Sequence, residues 1–403
     1  MKYIVILGDG MADRKCEELG GKTPLQAARK PHMDFIASHG VCGMVRTVPE
    51  GMPPGSDTAN LSVMGFDPKI YYTGRSPLEA VSMGISLSPK DVTYRCNVVT
   101  LSSEANYEDT TMVDYSAGEI TTAESTILIN DLAKELNDES WQLYPGISYR
   151  HCLVLKNGGD GTDLTPPHDI SGKVVGPYLP KNGNSAKLYE MMKFSREFFK
   201  DHPVNRDRIA RGLNPATSVW FWGEGRKPAL ASFKELYGID GAVISAVDLV
   251  KGIGICAGLT SIDVPGATGN LDSNFAGKAA AAVEALKTCD FVYVHMEAPD
   301  ECGHQGKAKD KVTAIELIDD QIVGPVLKAM QDAGEAFAIA VLPDHPTPIC
   351  TRTHSGDPVP FALLRSDREV SGPAAYDEDS AAATGIFVDP GHMLIAKMIR
   401  GEI

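Results

Sequence analysis

Three aspartates stand just beyond short apolar runs: Asp9 in Leu7-Gly8-Asp9-Gly10, Asp300 shortly after Val294-His295-Met296, and Asp344 in Val341-Leu342-Pro343-Asp344-His345. Two bring histidines with them, as Asp300-x3-His304 and Asp344-His345, and His354 follows in Thr353-His354-Ser355-Gly356-Asp357-Pro358. An Asp and a His four apart share one helical turn, and neighbouring Asp-His in a loop can aim at one point. Mixed carboxylate and imidazole donors suit zinc, manganese or iron better than calcium. Any one pair alone also fits a turn or cap, where Asp is common. Their recurrence after successive strand ends points to a shared site, because ligands collect beyond the carboxyl ends of the strands in an open α/β sheet.

Pro53-Pro54-Gly55-Ser56-Asp57-Thr58-Ala59-Asn60 places a serine after a tight turn and before Leu61-Ser62-Val63-Met64, which can start a helix. Its hydroxyl would lie beside exposed backbone N–H groups able to receive a phosphoryl oxygen. As an N-cap it would need no other role. Two metals beside it would favour chemistry, one to deprotonate the hydroxyl and one to neutralise the oxygens of an in-line displacement.

The elements that must position these groups read as α/β. Apolar runs Tyr3 to Leu7, Ser218 to Trp222, Ala242 to Val247, Phe291 to His295, Ala336 to Leu342 and Pro360 to Leu364 are strands, each followed by a Gly/Asp/Pro loop. Between them lie helical patterns, Asn274 to Cys289 and Lys311 to Asp332, the latter with Pro325 as a possible kink. Strand and helix in alternation predict a mostly parallel sheet flanked by helices. From Gly74 the strands shorten and mix (Thr93 to Leu101, Tyr149 to Leu155), followed by an amphipathic stretch, Ser185 to Lys200. This predicts a smaller α+β domain over 74–213 interrupting a first domain made of 1–73 and 214–403.

Composition bounds the partners. With 403 residues and 43% hydrophobic residues, the chain can bury ordinary cores and needs neither metal nor disulfide merely to fold. The net charge of −15 and the lack of a Lys/Arg-rich run argue against nucleic-acid binding, so an anionic substrate requires a local cationic cluster. The N-terminal apolar run is too short for a signal peptide, and no stretch reaches about 18 apolar residues, which predicts a cytoplasmic protein with no membrane partner. Eight cysteines without CxxC spacing read as reduced thiols.

The segments Leu7 to Asp13, Gly55-Ser56-Asp57-Thr58-Ala59, Asp300-x3-His304, Pro343-Asp344-His345 and His354 to Pro360 resemble, in order and over essentially the whole chain, the cofactor-independent phosphoglycerate mutases of the archaeal type, within the alkaline phosphatase superfamily. The resemblance implies an alkaline-phosphatase-like domain interrupted by a smaller one. It implies that Ser56 is a transiently phosphorylated nucleophile beside two divalent metal ions, manganese first, with zinc, cobalt or magnesium as alternatives. One ion would be held by Asp300, His304 and His354, the other by Asp9, Ser56, Asp344 and His345. The family's basic substrate residues carry over to Arg75, Arg95, Arg150, His151, His168, Arg206 and Arg208, and Lys251 resembles a family lysine near the nucleophile. One segment departs: Asp114-Tyr115-Ser116-Ala117-Gly118-Glu119 stands where such mutases often carry Asp-Arg-Arg-Ala-Gly-Arg. Fewer cations there weaken the case for a doubly anionic acid. The expected activity is interconversion of 2- and 3-phosphoglycerate. Phosphoryl transfer to homoserine from a separate donor, as a proposed branch of the family would perform, is the first alternative, although the chain has no GxxxxGK[ST] loop. Phosphate release by a metal-dependent phosphatase is the second.

Overall fold

The computed structural model describes residues 1–403, which form two compact units, Met1–Tyr72 with Ala229–Ile403, and Thr73–Pro228. The chain crosses into the second unit close to the expected position but returns at Pro228, not after residue 213. The reason is a strand assigned to the wrong sheet. Ser218–Arg226 is apolar like the strands of the first unit, yet it pairs antiparallel with Val92–Leu101, from Val92 opposite Arg226 to Val99 opposite Ser218. Gly212 to Pro215 has the composition of a linker but is a turn within the second unit, where Thr100 Oγ1 donates to the Pro215 carbonyl at 2.7 Å.

In the first unit eight strands form one sheet in the order Phe387–Val388, Val41–Val45, Val359–Arg365, Phe337–Leu342, Lys2–Gly8, Phe291–Met296, Gly241–Ile244 and Thr260–Ile262. Only Val359–Arg365 runs antiparallel to its neighbours. Ile4, Ile6, Val292, Val294, Ile339 and Val341 pack in one core with residues of the helices Pro31–Ser38, Phe275–Ala285, Ala308–Ile318 and Gly324–Ala333. The alternate residues Val5, Leu7, Tyr293 and Ala340 are just as buried, so both faces of the sheet are covered, as continuous apolar runs in parallel strands require. The stretch predicted as one helix from Lys311 is interrupted: a π-helical segment, Asp319–Val323, separates Ala308–Ile318 from Gly324–Ala333. Pro325, which cannot donate to the preceding turn, stands two residues past this π-helical segment, where the helical hydrogen-bond register changes.

The second unit is built on a five-stranded antiparallel sheet comprising Met112–Asp114, Val92–Leu101, Arg150–Leu155, Trp141–Tyr144 and Ser218–Arg226. The helices Thr122–Leu136 and Ser185–Phe199 close its main core through Leu128, Leu132, Leu188 and Met192. Ala80 of the helix Ser76–Ser82 meets Cys152 and Val154 in a smaller cluster. No helix of the chain is long and apolar enough to cross a membrane.

Candidate active site

The three aspartates leave three adjacent strands. Lys2–Gly8 lies between Phe337–Leu342 and Phe291–Met296, with Leu7 opposite both Leu342 and His295. Asp9 and Asp344 therefore emerge side by side, while Asp300 stands in the first turn of the helix Ala298–Gln305. All three are buried. Gly10 permits this approach: it has φ +61°, and a Cβ there would fall 2.6 Å from Asp300 Oδ1 and 2.7 Å from Asp300 Cα. The Gly10 N–H in turn donates to Asp344 Oδ1 at 3.1 Å.

The imidazoles converge on the same point. His304 Nε2 lies 3.2 Å from Asp300 Oδ2 and 2.9 Å from His354 Nε2, and His354 Nε2 lies 3.4 Å from Asp300 Oδ1. His345 Nε2 is 3.5 Å from Asp9 Oδ1 and 3.4 Å from Asp344 Oδ2. Two groups have the compactness of metal ligand sets, Asp300 with His304 and His354, and Asp9 with Asp300 and His345. Asp300 thus stands in both.

Ser56 is the first residue of the helix Ser56–Val63, as its place before an apolar run predicts, and its Oγ lies 3.2 Å from His345 Nε2. Asn60, one turn later and fully buried, donates through Nδ2 to the Ser56 carbonyl at 2.9 Å and to Asp344 Oδ2 at 2.8 Å. Its Oδ1 accepts the Tyr293 hydroxyl at 2.7 Å. This amide ties the Ser56 turn to the Asp344 carboxylate, a contact that nothing in its spacing signals.

Such a cluster is unstable as a set of bare charges. Burial, reinforced by the charges of Asp344 and Asp300, pushes the Asp9 carboxyl well above the ordinary aspartate range. Burial acts on Asp300 in the same sense, but the hydrogen bonds from His304 and His354 outweigh it and hold that carboxyl well below the range. The Asp300 hydrogen bond raises His304 to about 9. Asp9 Oδ1 is buried and has no hydrogen-bond partner. A divalent cation fits this set: it would satisfy that oxygen, offset the clustered negative charge and accept the imidazole lone pairs.

A buried framework that the sequence reading missed holds the loops carrying these groups. Lys311, fully buried, donates to Asp13 Oδ2 at 2.6 Å and to the Thr347 carbonyl at 2.9 Å. Thr347 Oγ1 donates to Asp300 Oδ1. Asp13 also accepts the Ile349 N–H, and its own N–H donates to Glu378 Oε1 at 3.0 Å. Burial pushes the Glu378 carboxyl up to about 7. Since an unfolded Glu releases its proton near 4.3, the folded state holds that proton over a pH window in which the unfolded state does not. The stability from this group is present below about 4.3 and is lost as pH rises through about 7. Glu378→Gln is therefore expected to gain on wild type as pH rises, with a larger difference in urea midpoint at pH 8 than at pH 5.

In the second unit, Arg75, Arg95, Arg150 and His168 gather while three other carried-over residues do not. Arg75 Nε and Arg95 Nε bind the two oxygens of Glu79 at 2.8 and 2.9 Å, and the Arg95 guanidinium stacks 3.9 Å from the Trp222 ring. His168 packs edge-on to Trp222 and Tyr115, and Arg150 lies over Tyr149. His151, by contrast, is buried opposite Cys96 with its Nδ1 accepting the Gly146 N–H, and burial lowers it to about 3. Strand alternation turns it away from the face that its neighbour Arg150 uses. Arg208 is buried, with its guanidinium bound to Glu124 Oε2, the Ala117 carbonyl and the Asn214 carbonyl at 2.7, 2.6 and 2.9 Å, so it is a structural staple. Arg206 is exposed on the same helix, Pro203–Ala210. In the first unit Lys251 is mostly buried and pairs with Asp263 Oδ1 at 2.6 Å.

A family model described as 2,3-bisphosphoglycerate-independent phosphoglycerate mutase matches residues 37–205. The chain is 52% identical over 401 residues to the mutase of that name from Methanothrix thermoacetophila, covering 100% of both chains. It is 53% identical over 402 residues to that of Methanosarcina acetivorans, covering 99% of this chain and 100% of the relative. The chain belongs to the 2,3-bisphosphoglycerate-independent phosphoglycerate mutase family. Among solved structures, a Pyrococcus horikoshii protein matches with TM-score 0.82 and 29% identity over 99% of this chain and 96% of its own. The cofactor-independent phosphoglycerate mutase of Thermoplasma acidophilum matches with TM-score 0.69 and 27% identity over 99% of each chain. In this member of the mutase family the departing segment 114–119 is a tight turn. Asp114 accepts from the N–H groups of Ser116 and Gly118 at 2.8 Å, and Ala117, Gly118 and Glu119 all have φ between 49° and 68°. Tyr115 thereby packs against His168 and Tyr149.

Proposed function

We propose that the chain interconverts 2- and 3-phosphoglycerate by carrying the phosphoryl group on Ser56 Oγ, with neither a nucleotide nor a bisphosphoglycerate supplied. The observation that carries this reading is a serine at a helix start, 3.2 Å from His345 Nε2, beside the Asp9, Asp300, His304 and His354 donors. It stands in a chain more than half identical, end to end, to proteins named for that activity. These relatives favour the mutase over the kinase and phosphatase alternatives.

In this reading Ser56 Oγ attacks phosphorus in line, forming the Oγ–P bond as the bond from phosphorus to the C2 or C3 oxygen of glycerate breaks. The departing oxygen takes up the proton that Ser56 releases, and when the other glycerate hydroxyl attacks the phosphoserine the P–Oγ bond breaks and that hydroxyl's proton returns to Ser56 Oγ. The N–H groups at the helix start receive phosphoryl oxygens. Arg75, Arg95, Arg150 and His168 bind the anionic groups of the substrate, with Arg95 held rigid by Glu79 and Trp222. Lys251 adds positive charge on the nucleophile's unit.

We assign one divalent ion to Asp300, His304 and His354 and a second to Asp9, Ser56, Asp344 and His345, with manganese first and zinc, cobalt or magnesium compatible with the same donors. Such ions supply Lewis acidity that lowers the pKa of the serine hydroxyl and offsets phosphoryl charge. Removing metal with a chelator is expected to cut turnover by at least about 100-fold, with Mn²⁺ restoring it. Undiminished turnover in exhaustively stripped protein would contradict the assignment. We expect the enzyme to work in the cytoplasm on this small phosphorylated substrate.

A further inference from the structure

His295 is the penultimate residue of the buried strand Phe291–Met296 and is fully enclosed, as is Ser245 almost completely. His295 Nε2 lies 2.9 Å from Asp9 Oδ2, and Nδ1 lies 3.1 Å from Ser245 Oγ. The hydrogen-bond directions follow once Asp9 is ionised, as the ligand of an ion must be: Oδ2 can then only accept, so Nε2 donates to it and Nδ1 of the neutral ring is left as an acceptor. Ser245 Oγ accepts the Val247 N–H at 2.9 Å, which leaves its own proton to donate, and Nδ1 is the nearer acceptor, at 3.1 Å against 3.4 Å for the Val247 carbonyl. With Nδ1 accepting, the ring proton stands on Nε2 and is donated to Asp9. The ring's own backbone is pinned as well. Lys278, on the helix Phe275–Ala285 and only 1% exposed, donates to the His295 carbonyl at 2.8 Å.

The consequence falls on Asp9. One of its oxygens is engaged by a neutral donor of fixed direction, while the other, Oδ1, is buried without a hydrogen-bond partner and faces His345. A carboxylate free to rotate could offer either oxygen or both to an ion. Here only Oδ1 is offered, along one direction.

We infer that His295, oriented by Ser245 and anchored through Lys278, is a positioning residue that fixes Asp9 as a one-oxygen ligand and so sets the affinity of the ion bound by Asp9. This rests on the metal assignment proposed above, and it assigns to three residues outside that ligand set a specific share in building it. Partners that orient ligands in this way are typically worth about 10–100-fold in metal affinity.

The test is Mn²⁺ binding to chelator-stripped full-length protein, followed by the electron paramagnetic resonance signal of free Mn²⁺, for wild type, His295→Leu, His295→Gln and Ser245→Ala. Leu removes the donor, whereas Gln can return an N–H near the position of Nε2. His295→Leu is expected to weaken one of two binding events about 10–100-fold and to leave the other unchanged. His295→Gln is expected to recover most of that loss. Ser245→Ala, a small excision, is expected to weaken the same event about fivefold, the effect of one neutral hydrogen bond. Should Leu at position 295 fail to fold, the Gln and Ala variants decide. Ser245→Ala with wild-type affinity at both sites, or a folded His295→Leu with wild-type affinity, overturns the inference while leaving the metal assignment standing. Equal weakening of both events in every variant overturns it in favour of a general packing role. Wild-type protein that binds no Mn²⁺ overturns the inference and the assignment together.

Discussion

Ser56→Ala is expected to lower phosphoglycerate turnover by at least about 10⁴-fold while leaving the fold and the ion assigned to Asp300, His304 and His354 in place. Loss of a nucleophile removes the covalent route altogether, and residual rates then come from binding and electrostatics alone. The substitution costs little structurally. Ser56 stands at the first helical position, its carbonyl still accepts from Asn60, and its Oγ meets only His345 among the contacts that define the site. Alanine is well tolerated within a helix. Near-normal turnover in a folded, metal-loaded Ser56→Ala protein would exclude a phosphoserine intermediate there.

The largest effect on stability is expected from Lys311→Met. Lys311 and Asp13 form a buried ion pair, with side chains 0% and 1% exposed, and the ammonium also serves the Ala12 and Thr347 carbonyls. Removing the cation leaves the Asp13 carboxylate uncompensated, at a cost of about 3–5 kcal/mol. The pair joins the loop that follows Asp9 to the loop that follows His345, so metal affinity should fall with stability. Lys311→Met combined with Asp13→Asn should recover much of the loss, because the unpaired charge is then gone. Urea unfolding of the single and double variants measures both effects, and a single variant as stable as wild type would contradict this account of the loops.

The parts of the site that could be read from the sequence are those with a local signal. Asp9, Asp300 and Asp344 each follow an apolar run, and strand ends in a parallel sheet bring such residues together whatever their separation in the chain. Ser56 was legible because a Gly-Ser step before an apolar run marks a helix start. His295, Lys278 and Lys311 gave no such signal: His295 and Lys278 are lone polar residues in an apolar strand and an Ala-rich helix, and Lys311 stands in a charged run, Lys307 to Lys311, that reads as a solvated face. The carboxylate partners of His295 and Lys311, Asp9 and Asp13, lie 286 and 298 residues away. Two misreadings had signals that were available. Alternation in a strand forbids Arg150 and His151 from serving one face, and the sequence shows the strand. Arg208 lies three residues after Asn205, which is likewise buried, so both mark the inward side of their helix. The domain return was obscured for a different reason. Ser218–Arg226 has the composition of a core strand, and composition does not say which sheet a strand joins.

The most direct test of the proposed reaction is ³¹P NMR of 3-phosphoglycerate incubated with the metal-loaded protein, in the absence of any nucleotide or 2,3-bisphosphoglycerate. The phosphoserine route predicts that the 2-phosphoglycerate resonance grows to a constant ratio with the substrate while inorganic phosphate stays negligible. A spectrum that remains 3-phosphoglycerate alone, or that turns into inorganic phosphate, would contradict it.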